Sequence, residues 1–461
     1  MTGKRRTATR STFLPRSFRF TRSGRATALA AGALTACASL AVGCGVVPGT
    51  TGGSGDDPIV VMTWAPEGTS ATNKPGMPAF ALAYARWINA EGGLGGRKLK
   101  VLTCNDHNDT VSAAKCARRA AREGAVAVVG SYSQHSDAFF PHLEGAGIPY
   151  IGGYGVTNAE FTSPLSYPVN GGQPSLLAGL GKELAATCGR VSLVRPDTIA
   201  GDALPPMLDA GLTAGGHAVS KDLRAPEDAT EYSAQAKSAL QAATAGRSKD
   251  EEANTDAGSN ANADADSDGK KGCVVTALGD RTSTFMDSFR RTRADYPDVR
   301  TATVLGSVDQ TVINASGAAS GPFEGAYVTG WYPVSSDAAW APMKKVISEE
   351  AFSDTRIDPT DTGVQTTWIA YTVFRQVVES LDGDEVTSAA VRGALDDGLK
   401  VTTGGLTPTL RWQFTDRLAS IGFPRLVNAD VTLQSVQNGV LAPAKKGFSD
   451  MTQTLEKADV D

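Results

Sequence analysis

The sequence predicts an α/β protein of two Rossmann-like lobes, each built on a parallel central sheet and joined by a hinge that the chain crosses several times. Strand and helix patterns alternate through residues 77–157, and the same alternation returns later in the chain. The chain has 461 residues, more than one ordinary core accommodates. Its 41% apolar and 20% charged residues are typical of globular proteins.

The first α/β segment follows the periods of helices and strands closely. Its first helix, over residues 77–91, has a helical spacing of apolar residues and ends at the glycine-rich stretch 92–96. The later elements of this segment are, in order, a strand over 98–104, a helix over 111–122, an apolar strand over 125–130, and a strand over 148–151 that leads to a glycine-rich loop ending at residue 157. Ligands bind at the carboxyl ends of strands in such sheets, so we expect binding residues here.

The remainder of the chain repeats this alternation. The predicted helices lie over 176–186, 205–214, 231–243, 285–293, 338–350, 365–381 and 387–395. The predicted strands lie over 190–194, 218–223, 301–305 and 325–329, with a further strand starting at Cys273 and short strands near Leu410 and Val431. An insert over 246–272 is rich in Asp, Asn, Ala and Ser and has almost no apolar residue, so we expect it to be disordered.

The first 43 residues are typical of a secretory signal peptide. A basic start is followed by a stretch of small and apolar residues over 26–43. The five residues 40–44, Leu-Ala-Val-Gly-Cys, resemble the lipobox of bacterial lipoproteins, in which the cysteine is lipidated and becomes the mature N-terminus. Cys44 is the expected lipidation site, and Cys37, which ends a similar motif, is the alternative. Cleavage without lipidation and a retained membrane anchor remain open, and residues 44–57 are expected to form a flexible tether.

The charge distribution separates this leader from the body of the protein. Eight of the 44 Lys and Arg residues lie in the first 55 positions, which contain no acidic residue, whereas the chain as a whole carries 49 Asp and Glu. The body is therefore acidic, which argues against a nucleic-acid partner. No segment after the leader has the roughly 18 consecutive apolar residues that a membrane-spanning helix needs.

Four of the six cysteines follow the leader, and the predicted fold suggests how they pair. Cys104 ends a strand and Cys116 lies in the next helix, so the two are expected to be close. Cys188 and Cys273 each closely precede or begin an apolar run, and those runs are expected to be neighbouring strands. We therefore predict the disulfides Cys104–Cys116 and Cys188–Cys273, each stabilising the fold by about 2–4 kcal/mol. Four free buried thiols are the alternative.

Several motifs in the correct order resemble type I periplasmic binding proteins, in the leucine/isoleucine/valine-binding branch. Residues 89–99, Asn-Ala-Glu-Gly-Gly-Leu-Gly-Gly-Arg-Lys-Leu, resemble the family signature between the first helix and the second strand. Residues 130–133 match the Gly-x-x-Ser turn of the family, residues 147–151 its next strand, and residues 369–371 a late helix. The resemblance spans residues 58–445, and the insert is its main departure.

The resemblance also implies a division into lobes. Lobe 1 is expected to comprise residues 58–170 and 331–403, and lobe 2 residues 171–330 and 404–450. Residues 451–461 are then a C-terminal tail.

Ligand-binding residues follow from the same resemblance where the motifs align. In members that bind amino acids, a Ser, a Gly or Ala and a Thr hold the ligand carboxylate, and these positions correspond to Ser133, Gly155 and Thr157. A hydroxyl group and backbone N–H groups at a helix start suit an anion. An acidic residue of the second lobe usually contacts the ligand ammonium group, and Asp309 is the nearest match. Ser133 as a helix N-cap alone is the alternative.

Other residues near the predicted cleft complete the expected site. Asp280, with Gly279 and Thr282, lies at another strand end and is expected to line the cleft. The aromatic content nearby is unusual for the family and suggests a flatter or more polar ligand than a branched-chain amino acid; these residues are Tyr132, Tyr154, Trp64, Trp331 and Tyr332. Aromatic residues also belong to protein cores, which is the alternative for each of them.

The resemblance implies a substrate-binding lipoprotein of an ABC importer, which captures an amino acid or a related small solute outside the cytoplasm and presents it to a membrane permease. We expect a monomer, lipid-anchored at the outer face of the cell membrane. A receptor of the same fold that signals to a membrane or regulatory partner is the alternative function. The sequence has no nucleophile elbow, P-loop or zinc-binding motif, so we expect no enzyme activity, no cofactor and no metal.

Overall fold

The computed structural model describes residues 57–70, 72–245, 270–383, 385–420 and 422–458 of the chain. The predicted signal peptide and the lipidation candidates Cys37 and Cys44 lie outside these residues. So do all but the last residue of the tether, residues 246–269 of the insert and the last three residues of the tail.

The predicted α/β fold with two sheets is confirmed. The first sheet has five parallel strands in the order β2-β1-β3-β4-β5, which are β1 Ile59–Trp64, β2 Leu99–Cys104, β3 Ala127–Val129, β4 Tyr150–Ile151 and β5 Ser166–Tyr167. Its strands consist largely of buried apolar residues, as expected for a parallel sheet covered on both faces.

The second sheet has seven strands in the order β12-β11-β10-β9-β8-β6-β7. They are β6 Val191–Pro196, β7 Lys221–Ala225, β8 Cys273–Thr276, β9 Arg300–Val304, β10 Tyr327–Gly330, β11 Thr432–Gln437 and β12 Val440–Pro443. The strands from β10 to β7 are parallel, whereas β11 and β12 run antiparallel at the edge. Asn438 and Gly439, both with positive φ, connect these two edge strands in the tight turn typical of an Asn-Gly dipeptide.

Helices cover both sheets. In the described part of the chain they are α1 Gly76–Ala90, α2 Thr110–Arg122, α3 Ser136–Ala146, α4 Asn158–Thr162, α5 Gly172–Thr187, α6 Ile199–Asp202, α7 Leu204–Ala214, α8 Ser233–Ala243, α9 Thr282–Thr292, α10 Gln310–Ala315, α11 Ala341–Glu350, α12 Thr362–Ser380, α13 Ser388–Asp396 and α14 Thr452–Glu456. Helix α12 packs against α1 and against β3 and β4, so a late segment of the chain completes the layer over the first sheet.

Both predicted disulfides are present. Cys104, the last residue of β2, is bonded to Cys116 in α2, and Cys188, just after α5, is bonded to Cys273 at the start of β8. In each pair the Cα atoms are 5.8 Å apart. One bond therefore ties a helix to the first sheet, and the other ties α5 to the second sheet.

Most predicted elements exist with ends shifted by one to three residues. The short strands predicted near Leu410 and Val431 differ more from the prediction. Leu410 forms only an isolated antiparallel bridge with Val401, whereas the strand predicted near Val431 is the longer hairpin of β11 and β12. Among the described helices, none combines the length and the apolar character required to cross a membrane.

Candidate functional site: a cleft between the two sheets

A cleft lies at the carboxyl ends of strands from both sheets. Tyr132 and Tyr154 follow β3 and β4 of the first sheet, and Pro196, Val304 and Trp331 end or follow β6, β9 and β10 of the second. The cleft encloses about 840 Å³, including its solvent-open mouth. The other lining residues are Thr72, Lys74, Gln134, Val156, Gln173, Leu176, Leu177, Thr198, Ala200, Gly201, Leu204, Glu227, Ala277, Leu278, Gly279, Leu305, Gly306 and Ser307.

Three aromatic rings form one wall of the cleft. The ring of Tyr154 lies edge-to-face against the rings of Tyr132 and Trp331, with centroids 5.1 Å apart in both pairs. The Tyr154 hydroxyl is 2.6 Å from the Thr362 hydroxyl, and Trp331 donates its indole N–H to the backbone oxygen of Gly172. Burial raises the pKa of Tyr154 to about 12, so its phenol is neutral at physiological pH. The wall is thus uncharged and held by hydrogen bonds and ring contacts within the protein.

Lys74 lies at the start of the segment that leads into α1, and its side chain is almost completely buried. Its ammonium group is 3.2 Å from the Asp361 carboxylate, 3.9 Å from the Asp280 carboxylate and 5.8 Å from the centre of the Tyr154 ring. Burial lowers the pKa of Lys74, but the surrounding carboxylates, first among them Asp361, outweigh this and raise the pKa well above its usual value. Lys74 is therefore charged and paired within the protein.

Asp309, predicted to contact a ligand ammonium group, is the N-cap of α10 and accepts the backbone N–H of Val312. Burial raises the pKa of Asp309 to about 6, and the negative charge of Asp361 contributes to the rise. We call Asp280, Asp309 and Asp361 the acidic cluster, since all three act electrostatically on Lys74. Three carboxylates thus share one ammonium group, and the cleft wall adds the acidic Glu227.

Hydrogen bonds connect segments that follow strands of the second sheet to segments that follow β1 or that lead into α12, which packs over the first sheet. Arg281 donates to the backbone oxygen of Ser70, and the backbone N–H of Asn73 donates to Asp280. Elsewhere, Thr311 hydrogen-bonds Asp358. The cleft is therefore bridged by polar contacts as well as lined from both sides.

The predicted ligand residue Ser133 is completely buried and is not part of the cleft wall, whereas its neighbour Gln134 is. The Ser133 hydroxyl accepts the backbone N–H of His135 and hydrogen-bonds Asp106. The backbone therefore directs Ser133 toward the carboxylate of Asp106, which lies two residues after β2, and Gln134 toward the cleft.

The loop with the predicted ligand residues Gly155 and Thr157 already holds a carboxylate of the chain itself. The carboxylate of Glu160 accepts the backbone N–H groups of Gly155, Val156 and Thr157 at 2.9–3.0 Å and the Thr157 hydroxyl at 2.8 Å. This is a capping box at the start of α4. We call these four donors the Glu160 cradle. Burial raises the pKa of Glu160, although its hydrogen bonds act in the opposite direction.

The structure places the remaining predicted residues in different surroundings. Gly279 lines the cleft, whereas Thr282 is buried in α9. Trp64, the last residue of β1, lies in the core with its ring 5.1 Å from the Phe139 ring. Tyr332 is also buried, and its hydroxyl bonds Asn170 and Thr366.

The charged residues of the site that were missing from the sequence prediction include Lys74, Glu160, Glu227 and Asp361. Lys74 and Glu227 have no local sequence signal, because their partners are distant along the chain. Glu160 did have one, since Thr157 and Glu160 have the spacing of a capping box. In the part of the chain that the structure describes, no group of three or more His, Cys, Asp and Glu residues is arranged to hold a metal ion.

Comparison with known proteins identifies a family for the chain and solved structures that share its fold. Residues 60–419 match the model of a family described as periplasmic binding protein. Among curated proteins, none matches the chain.

Several solved structures share the fold. A substrate-binding periplasmic protein from Ralstonia solanacearum is 16% identical with a TM-score of 0.64, over 84% of this chain and 99% of that one. A solute-binding protein of an ABC transporter from Rhodopseudomonas palustris BisB5, in complex with 3,4-dihydroxybenzoic acid, is 14% identical with a TM-score of 0.63, over 86% and 98%. A fatty acid ABC transporter substrate-binding protein from Thermomonospora curvata is 11% identical with a TM-score of 0.65, over 88% and 95%.

Proposed function

The chain belongs to the periplasmic binding protein family, and on this premise we propose that it is the extracytoplasmic substrate-binding lipoprotein of an ABC importer. The observation that carries the proposal is the cleft, which is lined from the carboxyl ends of strands in both sheets. Open α/β sheets bind ligands at this end of their strands. A solute in the cleft would therefore contact both halves of the protein at once.

The proposed lobes are those expected from the sequence, residues 58–170 with 331–403 and residues 171–330 with 404–450. All strands of the first sheet lie in residues 58–170, and all strands of the second sheet lie in residues 171–330 except the hairpin of β11 and β12, which lies in residues 404–450. A solute that contacts both lobes only when they are close together stabilises the closed form by its differential affinity. The closed form is what the permease would recognise.

The proposed anchor is a lipid on Cys44, with Cys37 as the alternative site. This part of the proposal depends on the sequence pattern of the leader. Mass spectrometry of the N-terminal peptide of the membrane-extracted protein should find a lipid-modified Cys44. An unmodified N-terminus would contradict the anchor and leave the binding function untouched.

The solute is proposed to be a small organic molecule. Solved structures of this fold hold 3,4-dihydroxybenzoic acid, benzoate and 4-hydroxybenzoate, and another is a fatty acid transporter's substrate-binding protein. The sequence suggests an amino-acid-like ligand, and this stays a prediction. The Glu160 cradle, where a ligand carboxylate is expected, already holds a carboxylate of the chain itself.

The test of binding is native mass spectrometry of the detergent-extracted protein, followed by thermal unfolding with any small molecule that co-purifies. We expect a bound molecule that raises Tm, and we expect Trp331→Ala to abolish the increase because Trp331 lines the cleft. Phe414→Ala, at a position whose side chain is 82% exposed away from the cleft, is the matched control. The absence of any ligand-dependent rise in Tm would contradict the proposal. Measuring solute uptake after deletion of the gene separates transport from sensing. Loss of uptake would indicate transport, and unchanged uptake would indicate sensing.

A further inference from the structure

The charges around the cleft indicate the chemical class of its solute. We propose that the cleft binds an apolar organic cation, such as a protonated amine, in preference to an organic acid. This inference rests on the function proposed above, because it specifies what the same cleft takes up. Four observations on the described residues support it.

The first observation is that the expected place for a ligand carboxylate is occupied. The Glu160 carboxylate uses all four donors of the Glu160 cradle, and the Glu160 residue is only 2% exposed. A second carboxylate at this loop would find no free donor there. It would also lie beside a buried negative charge, which is unfavourable in a medium of low polarity.

The second observation is that the positive charges near the cleft are already paired. Lys74 is the basic residue among those that line the cleft, and its ammonium group lies between Asp361 and Asp280. Arg281, two residues after the lining residue Gly279, donates its guanidinium N–H groups to the backbone oxygens of Glu227 and Ser70. An organic acid would therefore have to compete with the carboxylates that Lys74 already binds.

The third observation is an excess of carboxylates. The acidic cluster and Glu227 supply four negative charges, against one each from Lys74 and Arg281. Burial raises the pKa of Asp309 to about 6 and also raises the pKa of Glu227, although the charges of Lys74 and Arg281 act in the opposite direction. An ammonium group in the cleft would lie near Glu227, the one of these four residues that lines the cleft, and would offset its charge.

The fourth observation is the composition of the rest of the wall. Tyr132, Tyr154 and Trp331 present aromatic rings, and organic cations bind favourably over such rings. The remaining surface is largely aliphatic and suits an apolar body rather than a sugar; it includes Leu176, Leu177, Leu204, Leu278, Val304 and Leu305. A molecule with one ammonium group and a hydrocarbon or aromatic body matches both features.

The test compares primary amines with carboxylic acids on the same skeleton. The probes are the amine and acid pairs of the benzyl, 2-phenylethyl, cyclohexylmethyl and n-octyl groups, titrated calorimetrically into the full-length detergent-solubilised protein at neutral pH. We expect amines to bind at least about tenfold more tightly than their matched acids, a difference of about 1.4 kcal/mol. Preferential binding of the acids would overturn the inference and leave the proposed function intact. Binding of neither class, together with no co-purifying molecule, would contradict both.

A pair of charge-neutralising variants locates the recognition. Glu227→Gln is expected to weaken amine binding about tenfold and to leave the affinity for the neutral 2-phenylethanol unchanged, because only the cation interacts with the lost charge. Glu349→Gln removes the same charge from an exposed position of α11 and should change neither affinity. Equal weakening for the amine and the alcohol by Glu227→Gln would count against charge recognition and overturn the assignment of Glu227.

Discussion

The Glu160 cradle and the acidic cluster are two polar regions near the cleft, and they differ in how well their charges are satisfied. In the Glu160 cradle, one carboxylate accepts hydrogen bonds from four donors and is shielded from solvent. In the acidic cluster, three carboxylates act on the single ammonium group of Lys74. The cradle matches the family motif for a ligand anion but is complete without a ligand. The carboxylate of the cradle is therefore satisfied within the protein, whereas the acidic cluster carries more negative than positive charge.

The largest expected effect tests whether the Glu160 cradle is a structural unit. Glu160→Ala leaves buried or half-buried N–H groups without their acceptor and removes one half of the capping box, so we expect the free energy of unfolding to fall by about 3 kcal/mol. Urea unfolding of the variant and of the unchanged protein measures this difference.

Two controls make that prediction specific. Glu160→Gln keeps an acceptor with the correct spacing and should lose clearly less stability. Sodium formate should raise the Tm of Glu160→Ala more than sodium chloride at equal ionic strength, since formate can occupy the vacated donors, and it should not do so for the unchanged protein. If Glu160→Ala is as stable as the unchanged protein, the cradle does not depend on Glu160, and the contrast with the acidic cluster is lost.

The fold could be predicted from local patterns because each element carries its own signal. The spacing of apolar residues identified α1 and α2, and the adjacency of β2 and α2 was sufficient to pair Cys104 with Cys116. The edge hairpin was placed only as short strands, although the Asn438-Gly439 dipeptide indicates its turn.

The site could be predicted less completely because it depends on contacts between distant segments. Lys74, Asp280 and Asp361 meet only in the folded protein, and no spacing in the sequence brings them together. Ser133 and Gln134 are neighbours in one turn, so the choice of which side chain faces the cleft depends on backbone direction. A family motif specifies the turn but not this direction.

A smaller effect tests the charge imbalance of the acidic cluster at Asp309. The pKa of Asp309 is raised in the folded protein, so the folded state holds its proton up to about pH 6, whereas the unfolded chain loses it near pH 4. Between these values the folded state binds more protons, and the contribution of Asp309 to stability therefore falls as pH rises. Asp309→Asn keeps a side chain that can act as an N-cap. Because Asn does not ionise, the variant does not lose stability at this position as the pH rises. We expect it to be more stable than the unchanged protein by about 1.5 kcal/mol at pH 8, after allowance for partial exposure, and equally stable near pH 4.

Urea unfolding of both proteins across that pH range measures the difference. A variant that is less stable at pH 8 would mean that the Asp309 carboxylate is well balanced by Lys74. The acidic cluster would then resemble the Glu160 cradle, and the comparison would fail.

The smallest effect is expected at Asp280, which connects the two sides of the cleft. Its side chain is 42% exposed and 3.9 Å from the Lys74 ammonium group, which also retains the closer Asp361. Exposed ion pairs contribute about 0.5 kcal/mol, so Asp280→Asn should lower the free energy of unfolding by about that amount, and added salt should reduce the difference. Asp361→Asn, which removes the closer and less exposed partner, should cost more and respond less to salt. If Asp280→Asn instead costs as much as Glu160→Ala, the acidic cluster is held together as firmly as the cradle, and its charges are structural rather than available to a solute.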